Sequence, residues 1–414
     1  VINKELILVS NPGKQYTHQL LNALQNNNRS YKFITSFWYK PNHLFYNLLN
    51  IFPNRFKDIL KQELLKRYDK NIYSDNVIQF PYFEFVREGS DKIFGQRFAE
   101  RMQYWRDRFH DKYTSSRLKH LRPEIVIGYE ESCLATFREA KKLGITTVLD
   151  LAQIHYREIT NISNQYPAFK EIYKNILLRE KINQIKEEEL RLADHIICLS
   201  EWAKESLVKN NIPLHKIHVA NLGFDPDKFK AKESYTIGEK LKILFVGTLT
   251  KRKGIDLLLK ISDELSHMVE LTLVGPLADA KELINAQKES FTIHRSVNHD
   301  QLSRLYRDSD LFVFPSYVDS WAMVVIEAMA SGLPVIVSGN TGAKDAVKNN
   351  SGFVIPAGDF KSLKEKISFM YNNRNLLEEM GKNARKESLD YTWNSYHFKI
   401  NKIIDDIRSN EIRR

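Results

Sequence analysis

Residues Asp310 to Lys344 read DLFVFPSYVDSWAMVVIEAMASGLPVIVSGNTGAK, and the reading of this stretch decides the fold. Leu311-Phe312-Val313-Phe314 is an apolar run short enough for a buried strand, and Pro315-Ser316 closes it. Asp319-Ser320 carry helix-capping chemistry, and the pattern predicts a mostly apolar helix from Trp321 to Ala330. Gly332 and Pro334 stop that helix, and Val335-Ile336-Val337 read as a second buried strand. Strand, loop, helix and strand make a βαβ unit. Such a unit gathers ligands at the carboxyl ends of its strands.

Two carboxylates in the unit are candidates for binding one. Glu327 falls among Val324, Val325, Ile326, Ala328 and Met329, where a carboxylate is costly to bury without a partner. Asp319 is expected at the helix entrance, where free backbone N–H groups and the helix dipole favour an anion. The pair can hold a polyhydroxyl compound while the helix start holds a phosphate. A capping Asp and a Glu on the polar edge of a helix fit the same residues equally well.

Upstream, Ile243 to Gly247 (ILFVG) reads as a strand, followed by Thr248-Leu249-Thr250-Lys251-Arg252-Lys253-Gly254. A basic, glycine-containing turn between strand and helix has the chemistry of a diphosphate site. An ordinary basic turn is the competing reading.

Together these stretches resemble the retaining family 4 glycosyltransferases. DSWAMVVIEAMASGLPVI is similar to that family's acidic-x7-Glu motif, with Asp319 where Glu is usual and Ala322 where Gly is usual. Gly247 to Gly254 is similar to its G-[RT]-L-x-x-x-K-G motif, and Gly352 to Asp359 to its G-x-x-V-x-x-G-D segment. The resemblance implies a GT-B fold, an α/β architecture of two Rossmann-like doubly wound domains facing a central cleft. It implies that Asp319 contacts donor-sugar hydroxyls, that Glu327 contacts the nucleotide ribose, and that the backbone of Ser320, Trp321, Ala322 and Met323 contacts the donor. Gly247 and Thr248 fall in the phosphate turn. Thr248 replaces a usual Arg, so Arg252 is expected to supply the second positive charge beside Lys253. Arg295, Ser296 and Val297 are expected near the base, Gly13 near the donor phosphates or acceptor, and His155 on the acceptor side. A simple turn at Gly13 and a structural role for His155 stay open. The resemblance also implies retention of anomeric configuration, with the leaving phosphate taking the acceptor's proton. No metal is implied, and no cofactor beyond a UDP- or GDP-linked sugar as substrate.

The composition suits this reading. With 414 residues the chain can bury two cores, and 43% apolar with 27% charged residues is ordinary for a globular protein. No apolar run approaches the roughly 18 residues of a membrane span, and Leu6 to Ser10 is too short for a secretory leader. Cys133 and Cys198 lack metal-ligand spacing and are expected as buried free thiols in a cytoplasmic protein. The net charge of +11 is uneven: residues 1–230 carry 36 Lys/Arg against 27 Asp/Glu, a net of +9. That excess favours an anionic partner, yet no zinc-finger spacing, RNP motif or basic arm points to nucleic acid. Basic, aromatic stretches at Phe45–Lys70 and Phe94–Leu121 suggest peripheral contact with an anionic membrane at its inner face, or equally helices facing their own core.

Along the chain, strands are expected at Glu5–Ser10, Glu124–Gly128, Thr146–Leu151 and Glu270–Pro276, and helices at Tyr16–Gln25, Ser132–Leu143, Lys170–Leu192 and Asp300–Asp308. The amino-terminal, acceptor-binding domain is assigned to residues 1–230, with 396–414 crossing back onto it. Residues 231–395 form the nucleotide-sugar domain. The acceptor class implied is a glycan, glycolipid or glycoprotein in surface polysaccharide synthesis. A nucleotide-sugar hydrolase or epimerase, or a non-catalytic binding protein of the same fold, would leave the same marks.

Overall fold

A computed structural model describes residues 3–13, 16–39, 68–80, 96–166, 176–235, 238–287 and 291–412. It contains two parallel sheets. The first is built from β1 (Asn3–Ser10), β2 (Tyr31–Thr35), β3 (Val77–Gln79), β4 (Pro123–Tyr129), β5 (Thr146–Leu151), β6 (His195–Cys198) and β7 (Ile217–Val219), in the order β3-β2-β1-β4-β5-β6-β7. The second contains β8 (Leu241–Val246), β9 (Val269–Val274), β10 (Phe291–His294), β11 (Leu311–Phe314), β12 (Val335–Ser338) and β13 (Gly352–Ile355), in the order β10-β9-β8-β11-β12-β13. Central strands bury consecutive residues, Ile7-Leu8-Val9 in β1 and Leu311 to Phe314 in β11, because helices cover both faces of each sheet. The two-domain α/β fold is the one expected.

Strand order reverses between β1 and β4 in the first sheet and between β8 and β11 in the second. Loops leaving neighbouring strands in opposite directions open a crevice at those two points. The site is therefore sought there.

One detail differs from expectation, and another falls outside the described residues. The helix after β11 spans Met323–Ala330 rather than starting at Trp321, because Ala322 takes a left-handed conformation (φ 62°) and breaks the run. The Phe45–Lys70 reading, with Arg55, Lys57 and Lys61, lies outside the described residues apart from its last three. The second basic, aromatic stretch is a helix over Gln96–Leu121. Among the described residues no helix is long and apolar enough to cross a membrane. Cys133 and Cys198 are buried and free.

The chain passes between the sheets twice, side by side. Phe224 N–H donates to the Tyr391 carbonyl (3.0 Å), and Trp393 N–H donates to the Phe224 carbonyl (3.2 Å). Gly223 makes this approach possible, since a side-chain carbon there would lie 2.2 Å from the Thr392 backbone. After the second passage the helix Trp393–Ile412 returns to the first sheet. Tyr396, Ile400, Ile403, Ile404 and Ile407 recur at helical intervals on its buried stripe. Asn401 donates to the Ala23 carbonyl (2.8 Å), and Arg408 pairs with Glu124 (2.8 Å), so the helix lies on Thr17–Asn26 and reaches β4. Each fully buried isoleucine contributes about 1.5–3 kcal/mol to that docking.

Candidate functional site

At the second sheet's reversal, β8 ends in Gly247 and the chain turns through Lys251-Arg252-Lys253 to Gly254, which caps the helix Ile255–Glu264. Gly254 is left-handed (φ 76°), and a side-chain carbon there would lie 2.3 Å from the Pro315 carbonyl oxygen. Only glycine lets the two loops meet. They are then stitched: Tyr317 N–H and Ser316 Oγ both donate to the Arg252 carbonyl, at 2.9 and 3.2 Å. Lys253 lies 5.5 Å over the Phe314 ring. Burial lowers the pKa of its ammonium, against the opposing pull of the Asp319 charge. A side chain at Gly247 would come within 2.9 Å of Lys253 Nζ, so this glycine keeps room for the lysine.

Asp319 is not at the helix entrance as expected. It sits in the preceding loop, where its N–H donates to the Asn340 carbonyl (3.0 Å) and its carbonyl accepts from Gly342 N–H (2.8 Å). One carboxylate oxygen accepts from Trp321 N–H at 3.3 Å. The helix start has no side-chain cap, so its first N–H groups stay available to an anion. One turn beyond Met323, Glu327 accepts from the hydroxyl of fully buried Tyr306 (3.1 Å), and burial pushes its pKa up to about 7.

A cavity of about 420 Å³ brings several of these residues together. Arg252, Lys253, Asp319 and Met323 line it from the second domain, and Tyr16 and Gln153 from the first. Ser320 and Trp321 line it too, but their polar side-chain atoms are committed to the first domain. Ser320 Oγ donates to the Ala152 carbonyl (2.6 Å) and Trp321 Nε1 to the Leu222 carbonyl (2.9 Å). These two side chains hold the domains together.

The remaining expected residues divide. Of the two readings left open for His155, the geometry matches the structural one: its ring is buried, its Nδ1 caps the next helix by accepting from Arg157 N–H (3.2 Å), and it is not among the cavity-lining residues. Desolvation lowers its pKa to about 4, which keeps it neutral and suited to accepting. Arg295, Ser296 and Val297 follow β10, with Arg295 and Ser296 exposed and none of the three lining the cavity. Thr248 is exposed in the turn. Gly13 lines a second, smaller cavity, and a side-chain carbon there would meet only an ordinary 3.5 Å contact.

That smaller cavity, at the first sheet's reversal, escaped sequence reading. Asp150 sits in β5 with 0% exposure, accepts from the Tyr16 hydroxyl, and is pushed up to about 7 by burial. Behind the loop after β4, buried Lys186 pairs with Glu130 (2.9 Å) and Glu131 (2.8 Å). Glu189, wholly buried and raised to about 8 by desolvation, accepts from the N–H groups of Glu131 (2.7 Å) and Cys133 (2.9 Å). The available signal was an acid inside the apolar run TTVLDL.

Comparison with known proteins bears on this geometry. Residues 227–387 match the family described as glycosyl transferases group 1, a segment holding the basic turn, Asp319 and Glu327. The capsular polysaccharide biosynthesis glycosyltransferase CapM of Staphylococcus aureus is 32% identical over 216 residues, 47% of this chain and 56% of CapM. The chain spans about half the length of the curated relatives it matches. Sucrose-phosphate synthase from Thermosynechococcus elongatus superposes with a TM-score of 0.68 at 16% identity, covering 98% of this chain and 100% of that one. HepE of Anabaena, solved in complex with UDP-glucose, gives a TM-score of 0.62 at 14% identity, covering 97% of this chain and 99% of HepE. At such identities the likeness shows the fold, which is GT-B.

Proposed function

We propose that this chain, whose residues 227–387 match the family described as glycosyl transferases group 1 and whose fold is GT-B, moves a sugar from a nucleotide-diphosphate sugar to a hydroxyl of a glycan, lipid-linked or protein-linked acceptor. One observation carries the reading: a paired-cation turn and a carboxylate converge on one cavity between the domains. A departing diphosphate needs its charge stabilised where it develops, and in this proposal Arg252, Lys253 and the uncapped helix start supply that. In this proposal Asp319, which lines the cavity, accepts from donor-sugar hydroxyls, and Glu327, which is bonded to Tyr306 and is not among the lining residues, accepts from the ribose.

The transfer is retaining and independent of metal in this proposal. The diphosphate oxygen leaving the anomeric carbon accepts the proton of the attacking hydroxyl, so no separate base is invoked. The sugar is held beside its acceptor between the two domains, which supplies the orientation that such a reaction requires. The setting proposed is cytoplasmic polysaccharide synthesis.

The test incubates the full chain with UDP- and GDP-linked sugars, UDP-glucose among them, with and without glycan acceptors. Transfer with retained configuration, unchanged by EDTA, is expected, together with its loss in Glu327→Ala. Hydrolysis or epimerisation without acceptor would replace the transferase reading. A strong loss with EDTA would overturn metal independence.

A further inference from the structure

Glu327 does not stand alone in its helix. Its Oε2 accepts from the Tyr306 hydroxyl at 3.1 Å, and that hydroxyl has a second acceptor, the Val324 carbonyl, at 3.3 Å. A phenol carries one proton to give. An ionised Glu327 draws it, because a charged acceptor makes the stronger bond, and a neutral one releases it to Val324. Desolvation raises the pKa of the Glu327 carboxyl, and Tyr306, among the described residues the one titratable group acting on it, lowers it. Arg385, Asp345 and Arg307, on the elements around this helix, are bonded elsewhere: to backbone carbonyls, to Glu201 N–H and to Ser303. Glu327 itself is partly exposed, with one of its two oxygens taken by Tyr306.

The hydroxyl is fixed because its ring is fixed. Tyr306, with 0% exposure, packs edge-on against Phe229 (5.9 Å between ring centroids) and tilted against Phe312 (5.9 Å). Phe229 lies on the segment that joins the crossing at Phe224 to β8, and packs in turn on Phe224 (6.4 Å). That same segment is stitched along the end of the Glu327 helix. Arg385 donates to the Phe229 and Ala330 carbonyls (2.8 and 2.7 Å). Lys232 N–H donates to the Ser331 carbonyl (3.0 Å), and the Tyr235 hydroxyl to the Gly332 carbonyl (2.7 Å). The helix and the residue that holds its carboxylate are thus referenced to one stretch of chain.

We propose that Tyr306 is a positioning residue for the nucleotide: its hydroxyl holds Oε2 of Glu327 and turns the other oxygen to the ribose, while Phe229 and Phe312 set where that hydroxyl stands. The assignment rests on the donor reading of Glu327 given above. A ribose diol offers two donors, and a carboxylate free to rotate would meet them in several poses. Fixing one oxygen removes that freedom and its cost in entropy. The same bond keeps more of the carboxylate ionised at neutral pH, since a donor to the charged form opposes the burial that raises Glu327 to about 7.

UDP calorimetry on the full chain across neutral pH tests this, comparing wild type with Tyr306→Phe, Glu327→Gln and the double variant. Tyr306→Phe keeps the ring and deletes the hydroxyl. The midpoint of its binding profile should rise by about one pH unit, the scale of one hydrogen bond to a charged group. Its UDP affinity should then fall by about fivefold at pH 7 and by less than about twofold at pH 9. In the Glu327→Gln background the same change should alter affinity by less than about twofold at every pH, because no carboxylate is left to hold. A structural role alone would lower the melting temperature and leave the midpoint where it was. Phe229→Leu loosens the ring and spares the hydroxyl; it should raise the midpoint by a smaller amount, and it decides if Tyr306→Phe does not fold. An unmoved midpoint in the folded variants, or an equal loss with and without Glu327, overturns the proposal. Failure of UDP to bind the wild-type chain would overturn the donor reading instead. Carbon-13 NMR titration of the Glu327 carboxyl would then still decide whether Tyr306 holds it, with no rise in midpoint in Tyr306→Phe as the overturning result.

Discussion

The molecule presents one topological feature twice with opposite chemistry. At the second sheet's reversal stand Arg252 and Lys253, on a turn stitched to the loop after β11. At the first sheet's reversal stand Glu130, Glu131 and Asp150, braced from behind by Lys186 and Glu189. Strand order decides where a ligand enters, and the side chains there decide which ligand it is. The cationic end is the one assigned to the donor diphosphate in the proposed function.

The largest effect expected in breaking this contrast is on the acidic side. Lys186→Ala would leave Glu130 and Glu131 without their buried partner, and should cost about 3–5 kcal/mol of stability, read as a lower urea midpoint for the first domain. On the basic side, Lys253→Ala should lower turnover by about 100-fold or more, roughly 3 kcal/mol, the scale of one preorganised charge lost from a transition state. If Arg252→Ala has no such effect, Arg252 does not replace the arginine that Thr248 lacks.

A smaller effect concerns pH. Burial raises Glu327 from 4.5 to about 7, so the stability gained from its neutral form is full below 4.5 and is lost as pH rises through about 7. In the proposed function donor binding runs the other way, because the ribose hydroxyls would donate to the ionised Glu327. UDP affinity measured by calorimetry should therefore fall by up to about tenfold per pH unit below 7, and Glu327→Gln should flatten the profile. The smallest effect sharpens the loop between the two walls. Ala322 holds a left-handed conformation at φ 62°, and Ala322→Gly should stabilise the fold by about 1 kcal/mol, seen as a higher melting temperature.

How much of this was legible in the sequence follows from how local each feature is. β11 and β12 were legible because both faces of the strands are buried and the run is continuously apolar. The basic turn was legible because its glycine and its charges are adjacent in sequence. The helix start was misread by two residues because Asp319-Ser320 imitates a cap, whereas Asp319 is bonded to the loop at 340–342. The place of His155 after β5 left an acceptor-side and a structural role open, because the sequence does not show that its ring caps the next helix. The acidic cavity draws Asp107, Glu130 and Asp150 from three separate elements. Nothing local in the sequence reveals that they meet.

The paired passages at Phe224 and Thr392 carry a consequence for chain architecture. In sequence order the second domain is an insert, entered at one passage and left at the other, while the first is assembled from two separated pieces. A fragment covering 225–391 contains every strand of its own sheet and is a natural excision product. A fragment ending near residue 224 lacks its closing helix, and the apolar face of Thr17–Asn26, with Leu20, Leu21 and Leu24, would be left bare to water. Ribosomal synthesis meets the same order: the domain begun first is completed last, after the insert has already emerged.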